Sequence, residues 1–364
     1  MARIDSFLLL GREQSCSDVH FAVNTPPLIR HNGELSPIKY RDLNITELET
    51  LIEEILTPEQ SEQLKTSSGI DFSYHSQEAG RFRVSLFRKI GGLGGTFRVI
   101  PEQVPNLDTL NLPKVINKLL SHQQGMILVT GSTGTGKTTT LAAMINQLNT
   151  TLRLNIITLE DPIEYLHKSQ KSLVIQREIG KHVKSFRDGL RAALREDPDV
   201  ILVGELRDPE TILMAMTAAE TGHLVLGTLH TSSAAKTIDR IIDAMPTEAK
   251  TQAAIFLANN LNGVISQKLV RTANGMSRKA IVEVFVNTPA ISNLILNSKV
   301  FQIPSVMQTG KAQGMQLMDQ ALLEAINKKE IDPDDAYVQA TDKQQFQRFV
   351  TNPDLLPQMN LAIS

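Results

Sequence analysis

Hydrophobic residues in the middle of the chain gather into four short runs with little alternation: GMILVTG (125–131), LNIITLE (154–160), DVILVGE (199–205) and HLVLGTLH (223–230). Runs of this kind are strands buried on both faces. Stretches with helical spacing separate them, which predicts an α/β fold: a parallel-rich sheet covered by helices on both sides. Such sheets bind ligands at the carboxyl ends of their strands. The residues that end these runs, Gly131, Glu160, Glu205 and His230, therefore fall on one rim.

The pattern upstream is different. SDVHFAV alternates like a strand, and GELSPIKY reads as a turn leading into another. NITELETLIEEILTPEQSEQL has helical spacing, with Asn44 as N-cap and a stop near Pro58. GRFRVSLFRKIGGLGGTFRVIP reads as a hairpin with a glycine-rich turn at 91–95. Residues 1–100 thus predict a small α/β domain with an antiparallel sheet. PEQVPNLDTLNLP (101–113), with three prolines, reads as an extended linker. Residues 114–345 form the second domain. Beyond 235 it reads as helices, AAKTIDRIIDAMP, TQAAIFLANNLNGVISQKLV, PAISNLILNSK and MQLMDQALLEAINKKE, interrupted by the strand KAIVEVFV. Residues 346–364 carry few signals and read as a loosely ordered tail.

Charge and cysteine content narrow the function classes. A net charge of −2 lacks the basic excess of a nucleic-acid binder, so no nucleic-acid partner is expected. The single cysteine, Cys16, excludes an intramolecular disulfide framework and a four-cysteine zinc site, and fits a reducing compartment. No apolar run approaches the about 20 residues that span a bilayer. The apolar core near the N-terminus, Phe7 to Leu10, is too short for a signal peptide.

The chemistry starts at GSTGTGKT, residues 131–138, which matches G-x-x-x-x-G-K-[ST] between a predicted strand and a predicted helix. Gly131, Gly134 and Gly136 let the backbone turn its N–H groups inward as an anion site, with Ser132, Thr133 and Thr135 between them. The helix N-terminus adds its positive end. Lys137 is expected on the β- and γ-phosphates of ATP, and the Thr138 hydroxyl on Mg²⁺.

Glu205 ends a hydrophobic strand on the same rim, where an acid can hold Mg²⁺ through water or activate the attacking water. LEDPIEY (159–165) brings Glu160, Asp161 and Glu164 to that rim as well. The structural alternative for this segment is a helix start, with Asp161 as N-cap, Pro162 as first helical residue and Glu164 as the N3 acid of a capping box. Asp161 and Pro162 are weighted towards that structural role, and Glu160 and Glu164 towards chemistry. His230 fits a γ-phosphate sensor, and His223 begins the same strand. Arg187, Arg191 and Arg195, spaced by four, share one helix face. Arg207 follows Glu205, while Arg81, Arg83, Arg88 and Arg98 surround the hairpin.

In order, GSTGTGKT, ITLEDPIEY, LREDPDVILVGELRDPET and AAETGHLVLGTLHT resemble the phosphate loop, Asp box, Walker B segment and His box of the secretion-superfamily ATPases of type II, type IV pilus and type IV secretion systems. SDVHF, NTPPLIRHNGEL, TSSAAKTIDRIID and QIPSVMQTGKAQGMQLMDQAL resemble the pilus retraction branch, over about residues 15 to 330. The resemblance implies a RecA-like P-loop motor domain after a PAS-like N-terminal domain, in a homohexameric, ATP-hydrolysing ring. It also implies a cytoplasmic location, peripheral at the inner membrane, against a pilus platform protein and indirectly a pilin. Arg83 and Arg98 match arginines that approach the nucleotide from the N-terminal domain, and Arg191, Arg195 and Arg207 match motor-domain interface arginines. Glu205 matches the Walker B glutamate, Glu160 and Glu164 match Asp-box acids, and His230 matches the His-box residue. Two segments depart from the family: SCSDVH replaces a glycine-containing start, and Ser292 replaces the arginine of AIRNLI, a motif linked to retraction rather than hydrolysis. A retraction-accessory paralogue and a secretion-system ATPase are the neighbouring readings. A RecA-like nucleic-acid motor, a P-loop kinase and a non-catalytic nucleotide sensor are more distant ones.

Overall fold

The computed structural model describes residues 2–31, 33–101 and 103–356. The chain forms two compact units, Met1–Val104 with Pro162–Leu166, and Pro105–Asp161 with His167–Ser364.

The first unit runs α1 (Asp5–Glu13), β1 (Asp18–Ala22), β2 (Leu28–His31), β3 (Glu34–Pro37), α2 (Ile45–Glu53), α3 (Pro58–Thr66), β4 (Gly69–Ser76), β5 (Gly80–Lys89) and β6 (Gly92–Ile100). Its strands pair antiparallel in the order β3-β2-β1-β6-β5-β4. Alternation puts Phe82, Val84 and Leu86 of β5 and Phe97 of β6 in the core. There the Phe21 and Phe97 rings meet edge to face at 5.3 Å. Asn44 and Glu47 close the capping box expected at the start of α2. The stop at Pro58 is also the start of α3, which Thr57 caps. The turn of the β5–β6 hairpin lies at Ile90–Gly91. Gly94 and Gly95 belong to β6, where a Cβ would press on Phe87 and Leu86.

Arg41 Nη1 donates to Glu47 Oε2 at 2.7 Å. This hydrogen bond, with the Asn44 amide, outweighs desolvation and holds the Glu47 carboxyl at about 2. A depressed carboxylate stabilises the fold above its unfolded value of about 4.5 and loses that contribution as pH falls through about 2. The expected result is an NMR titration midpoint for Glu47 that rises towards 4.5 in Arg41→Ala.

The second unit runs α4 (Val115–Leu119), β7 (Gly125–Thr130), α5 (Lys137–Thr151), β8 (Asn155–Glu160), β9 (Leu173–Glu178), α6 (Phe186–Ala193), β10 (Val200–Val203), α7 (Pro209–Glu220), β11 (Leu224–Leu229), α8 (Ala234–Ala244), α9 (Lys250–Asn260), β12 (Leu261–Arg271) and β13 (Arg278–Val286). The helices α10 (Pro289–Leu296), α11 (Ile303–Thr309), α12 (Met318–Asn327), α13 (Pro333–Gln339) and α14 (Lys343–Phe346) follow. Sheet order is β13-β12-β7-β11-β10-β8-β9. Every pair is parallel except β12–β13. All residues of β7 and β11 are buried. Met126 and Leu128 enter one apolar cluster and Ile127 and Val129 another, so the sheet is covered on both faces.

Four expectations change. The stretch expected as one helix, TQAAIFLANNLNGVISQKLV, divides at Asn260 into α9 and β12. Val264 and Ile265 are buried on opposite faces between β7 and β13, and short apolar runs do not separate such a strand from a buried helix. No helix starts at Asp161: residues 161–165 are bends and irregular chain, so the capping-box reading of Asp161, Pro162 and Glu164 falls. Helix α6 ends at Ala193, which leaves Arg195 in the following turn, beyond the face that carries Arg187 and Arg191. The expected loose tail is folded as far as Leu356, with Phe346 fully buried beside Leu322 and Tyr337, and residues 357–364 lie outside the described residues.

Candidate functional site

Strand β7 delivers the chain to the loop at 131–136, and α5 leads away from it. Asn44, Thr57, Ser185, Asp208 and Ser233 cap α2, α3, α6, α7 and α8 with side chains. The 15-residue α5 has Gly136 as its N-cap and no side-chain cap, so its first-turn amides are open to an anion. Gly131 and Gly136 adopt φ of +145° and +86°. Ser132, Thr133 and Gly134 are exposed, Thr135 and Thr138 half-buried. Lys137 is buried, and its Nζ donates to the carbonyls of Gly131 at 2.8 Å and Ser132 at 3.0 Å. The amine is thus curled into the loop. Desolvation lowers its pKa, against the pull of Glu205.

Strand β12 flanks the loop. Gln267 donates from Nε2 to the Thr135 carbonyl at 2.6 Å and accepts from Thr140 Oγ1 at 2.7 Å. Next to the loop, Ser232, Lys268, Arg278 and Gln339 help line a cavity of about 270 Å³.

Two residues past β10, Glu205 accepts from Arg207 Nη2 at 2.6 Å and pairs through Oε1 with His230 Nε2 at 3.1 Å. His230 directly follows β11. Burial pushes the Glu205 carboxyl up, but the hydrogen bond and charge of Arg207, with His230 and Lys137, outweigh it and hold the group below its ordinary value. Asp161 adds negative charge near Arg207. Lys137, Arg207 and His230 therefore all act electrostatically on Glu205.

Glu160, last in β8, accepts from Thr158 Oγ1 at 2.6 Å and from Gln176 Nε2 of β9 at 3.0 Å. Glu164 is half-buried in the segment Pro162–Leu166, which belongs to the first unit, where Arg81 Nη2 donates to the Ile163 carbonyl at 3.4 Å. Arg83 and Arg98 face each other across β5 and β6. Asp18, buried on β1, accepts from Arg98 Nε at 3.0 Å and offsets one of the two like charges. Arg191 and Arg195 are exposed. His223 has a structural task, its Nδ1 lying 2.9 Å from the Ala218 carbonyl. Ser292 turns inward from α10 and donates to the Ala258 carbonyl of α9 at 2.5 Å. The residues missed at the sequence level are Gln267, Thr140 and Gln176. Gln267 was hidden because its strand read as a helix, and Gln176 because β9 lacks a strong apolar run.

The family model for "Type II/IV secretion system protein" matches residues 70–349. The chain belongs to this family. Among its relatives, a "Twitching motility protein" of Neisseria gonorrhoeae is 46% identical over 310 residues, covering 85% of this chain and 83% of the relative. The "Type IV pilus retractation ATPase PilT" of Pseudomonas aeruginosa is 45% identical over 319 residues, covering 88% and 92%. Among solved structures, the pilus retraction motor PilT with bound ADP superposes with a TM-score of 0.88 at 40% identity, over 96% of this chain and 100% of that one. This family member's loop fits a nucleotide: Gly131, Gly134 and Gly136 all adopt positive φ, Ser132 to Gly134 are exposed, and the first-turn amides of α5 have no side-chain cap. Among the described residues there is no group of three or more His, Cys, Asp and Glu side chains that could hold a metal. A magnesium ion carried by phosphates needs few protein ligands, and Thr138 in the first turn of α5 can serve as one. No helix among the described residues is long and apolar enough to cross a membrane.

Proposed function

We propose that this protein is an ATP-hydrolysing motor that powers type IV pilus retraction. The observation that carries the reading is the convergence of Lys137 in the loop with Glu205 and its partners Arg207 and His230 at the strand ends. The twitching-motility and pilus-retraction relatives support the pilus as its target.

In this reading the loop amides of residues 132–138 and Lys137 hold the phosphates, and the Thr138 hydroxyl would hold a Mg²⁺ ion, which when bound would supply positive charge to the phosphate oxygens. Glu205, ionised at neutral pH, accepts the proton of the attacking water. Arg207 holds one of its oxygens and His230 the other, which orients the carboxylate. Glu160, fixed by Thr158 and Gln176, is a second acid for metal or water. Glu164 acts with it as an Asp-box acid.

The working form is a homohexamer in the cytoplasm, peripheral at the inner membrane, pressing on a pilus platform protein and through it on pilin. Residues 1–100 act as the PAS-like domain, 101–113 as the linker, and 114–345 as the motor. Arg83 and Arg98 of one subunit's N-terminal domain approach the nucleotide held by the neighbour's motor domain, and Arg191, Arg195 and Arg207 are the motor-domain arginines at that interface. Arg83→Ala or Arg98→Ala then lowers kcat of the assembled ring by about tenfold or more, below the 10³–10⁵ that a fully engaged arginine supplies. Unchanged phosphate release from assembled rings removes the arginine proposal.

Gene deletion followed by pilus imaging tests the output. Excess pili that do not retract support the motor reading, and loss of pili overturns it. Ser292 favours a second reading, a retraction-accessory paralogue. Its hydroxyl is tied to α9, and it supplies no cation where the family's AIRNLI segment has one. Normal retraction after deletion, with the ATPase activity of the purified chain intact, selects that reading.

A further inference from the structure

Gln267 lies outside every motif that the sequence displays, yet it is only 3% exposed and uses both ends of its amide on the phosphate loop and its helix. Thr135 is inside the loop, and Thr140 is in the first turn of α5. The main chain of the same residue matters too. A Cβ at Gly131 would collide with the Gln267 carbonyl oxygen, and a Cβ at Gly136 would lie 2.9 Å from Gln267 Nε2. The first and last glycines of the loop therefore admit Gln267 as well as supplying positive φ.

The Thr135 carbonyl and the Gly136 N–H belong to one peptide plane and point in opposite directions, because that bond is trans and rigid. Holding the carbonyl against β12 turns the Gly136 N–H away from β12. The Thr140 bond fixes the amide so that its nitrogen, not its oxygen, meets Thr135. A glycine-rich loop without this anchor samples many backbone states and loses affinity each time it must be ordered. We propose that Gln267 is a positioning residue that sets the Thr135–Gly136 peptide for phosphate before nucleotide arrives.

This inference rests on reading 131–138 as a nucleotide site, and titration of the unaltered full-length chain with Mg–ADP tests that reading separately. In Gln267→Leu both hydrogen bonds are lost. In Gln267→Glu the Thr140 bond survives, but oxygen meets the Thr135 carbonyl. Each variant is expected to weaken Mg–ADP binding and raise KM for Mg–ATP by about tenfold, Gln267→Leu through the loss of two neutral hydrogen bonds and Gln267→Glu through the loss of one together with the repulsion of two facing oxygens. The change falls on KM with kcat altered much less, because ground state and transition state lose the same contact. Thr140→Val reproduces part of the effect, Thr140→Ser recovers it, and Thr140→Val adds little on top of Gln267→Leu. If the glutamine merely filled space, Gln267→Glu would lower the melting temperature while the folded fraction kept its KM. Wild-type KM and Mg–ADP affinity in Gln267→Glu and Thr140→Val overturn the proposal even if Gln267→Leu fails to fold.

Discussion

Lys137→Ala is expected to stop ATP turnover and to weaken Mg–ADP binding by about 10²–10⁴-fold. The magnitude follows from two charge-assisted contacts at about 1.5–3 kcal/mol each, with 1.4 kcal/mol per factor of ten. Without nucleotide the ammonium is held by the loop itself. Lys137 is 9% exposed, its ammonium lies 2.8 and 3.0 Å from the Gly131 and Ser132 carbonyls, and the surrounding loop is rich in backbone amides. Desolvation already works against its charge in this state, with only Glu205 opposing. A phosphate removes that conflict, so much of the lysine's favourable interaction is realised only when nucleotide is bound. The fold should survive, since the freed carbonyls border an exposed loop. Calorimetric titration with Mg–ADP, alongside a melting curve, makes the check. Wild-type affinity in a folded Lys137→Ala protein would remove the phosphate-loop assignment and every step placed on it.

The site was legible where chemistry is local in sequence and obscure where it is not. GSTGTGKT carries its own turn, helix start and charge, so β7, the loop and α5 could all be read from residues 125–151. Glu205 and His230 were readable for a topological reason: parallel strands end on one rim, and β10 and β11 are neighbours. Gln267 is the opposite case. It reaches the loop only through the pairing of β12 with β7, a contact between residues more than a hundred positions apart, and its strand resembles a buried helix. Asp161 failed for another reason. Acid–proline followed by an acid three residues on is a valid helix start. Yet Ile163 and Tyr165 are buried, and Pro162–Leu166 joins the first unit, so long-range packing overrides the local signal. The alternation of the first unit reads as an antiparallel sheet, whereas β2 and β4, short or mixed in polarity, carry too little periodicity to show in the sequence.

Glu205→Gln is expected to lower kcat by about 10²–10⁴-fold, the range for loss of a positioned base, while ATP binding stays within a few-fold of wild type. Glutamine keeps the size of the side chain, and its one carbonyl oxygen can still accept from Arg207 while its amide nitrogen faces His230, so the variant removes basicity and charge with little change of shape. The pH profile supplies an independent check. Burial, the largest influence on Glu205, raises its pKa, and the cations outweigh it to leave the group below 4.5. A depressed carboxylate is ionised above that value and is lost only as pH falls through its folded-state pKa. In Arg207→Ala the strongest opposing cation is gone and burial gains the upper hand, so the acid limb of kcat moves to higher pH. Glu205→Gln should instead abolish that limb along with most of the activity. A kcat that is undiminished in Glu205→Gln would place the base elsewhere, with Glu160, held by Thr158 and Gln176 on the adjoining strands, as the next residue to replace.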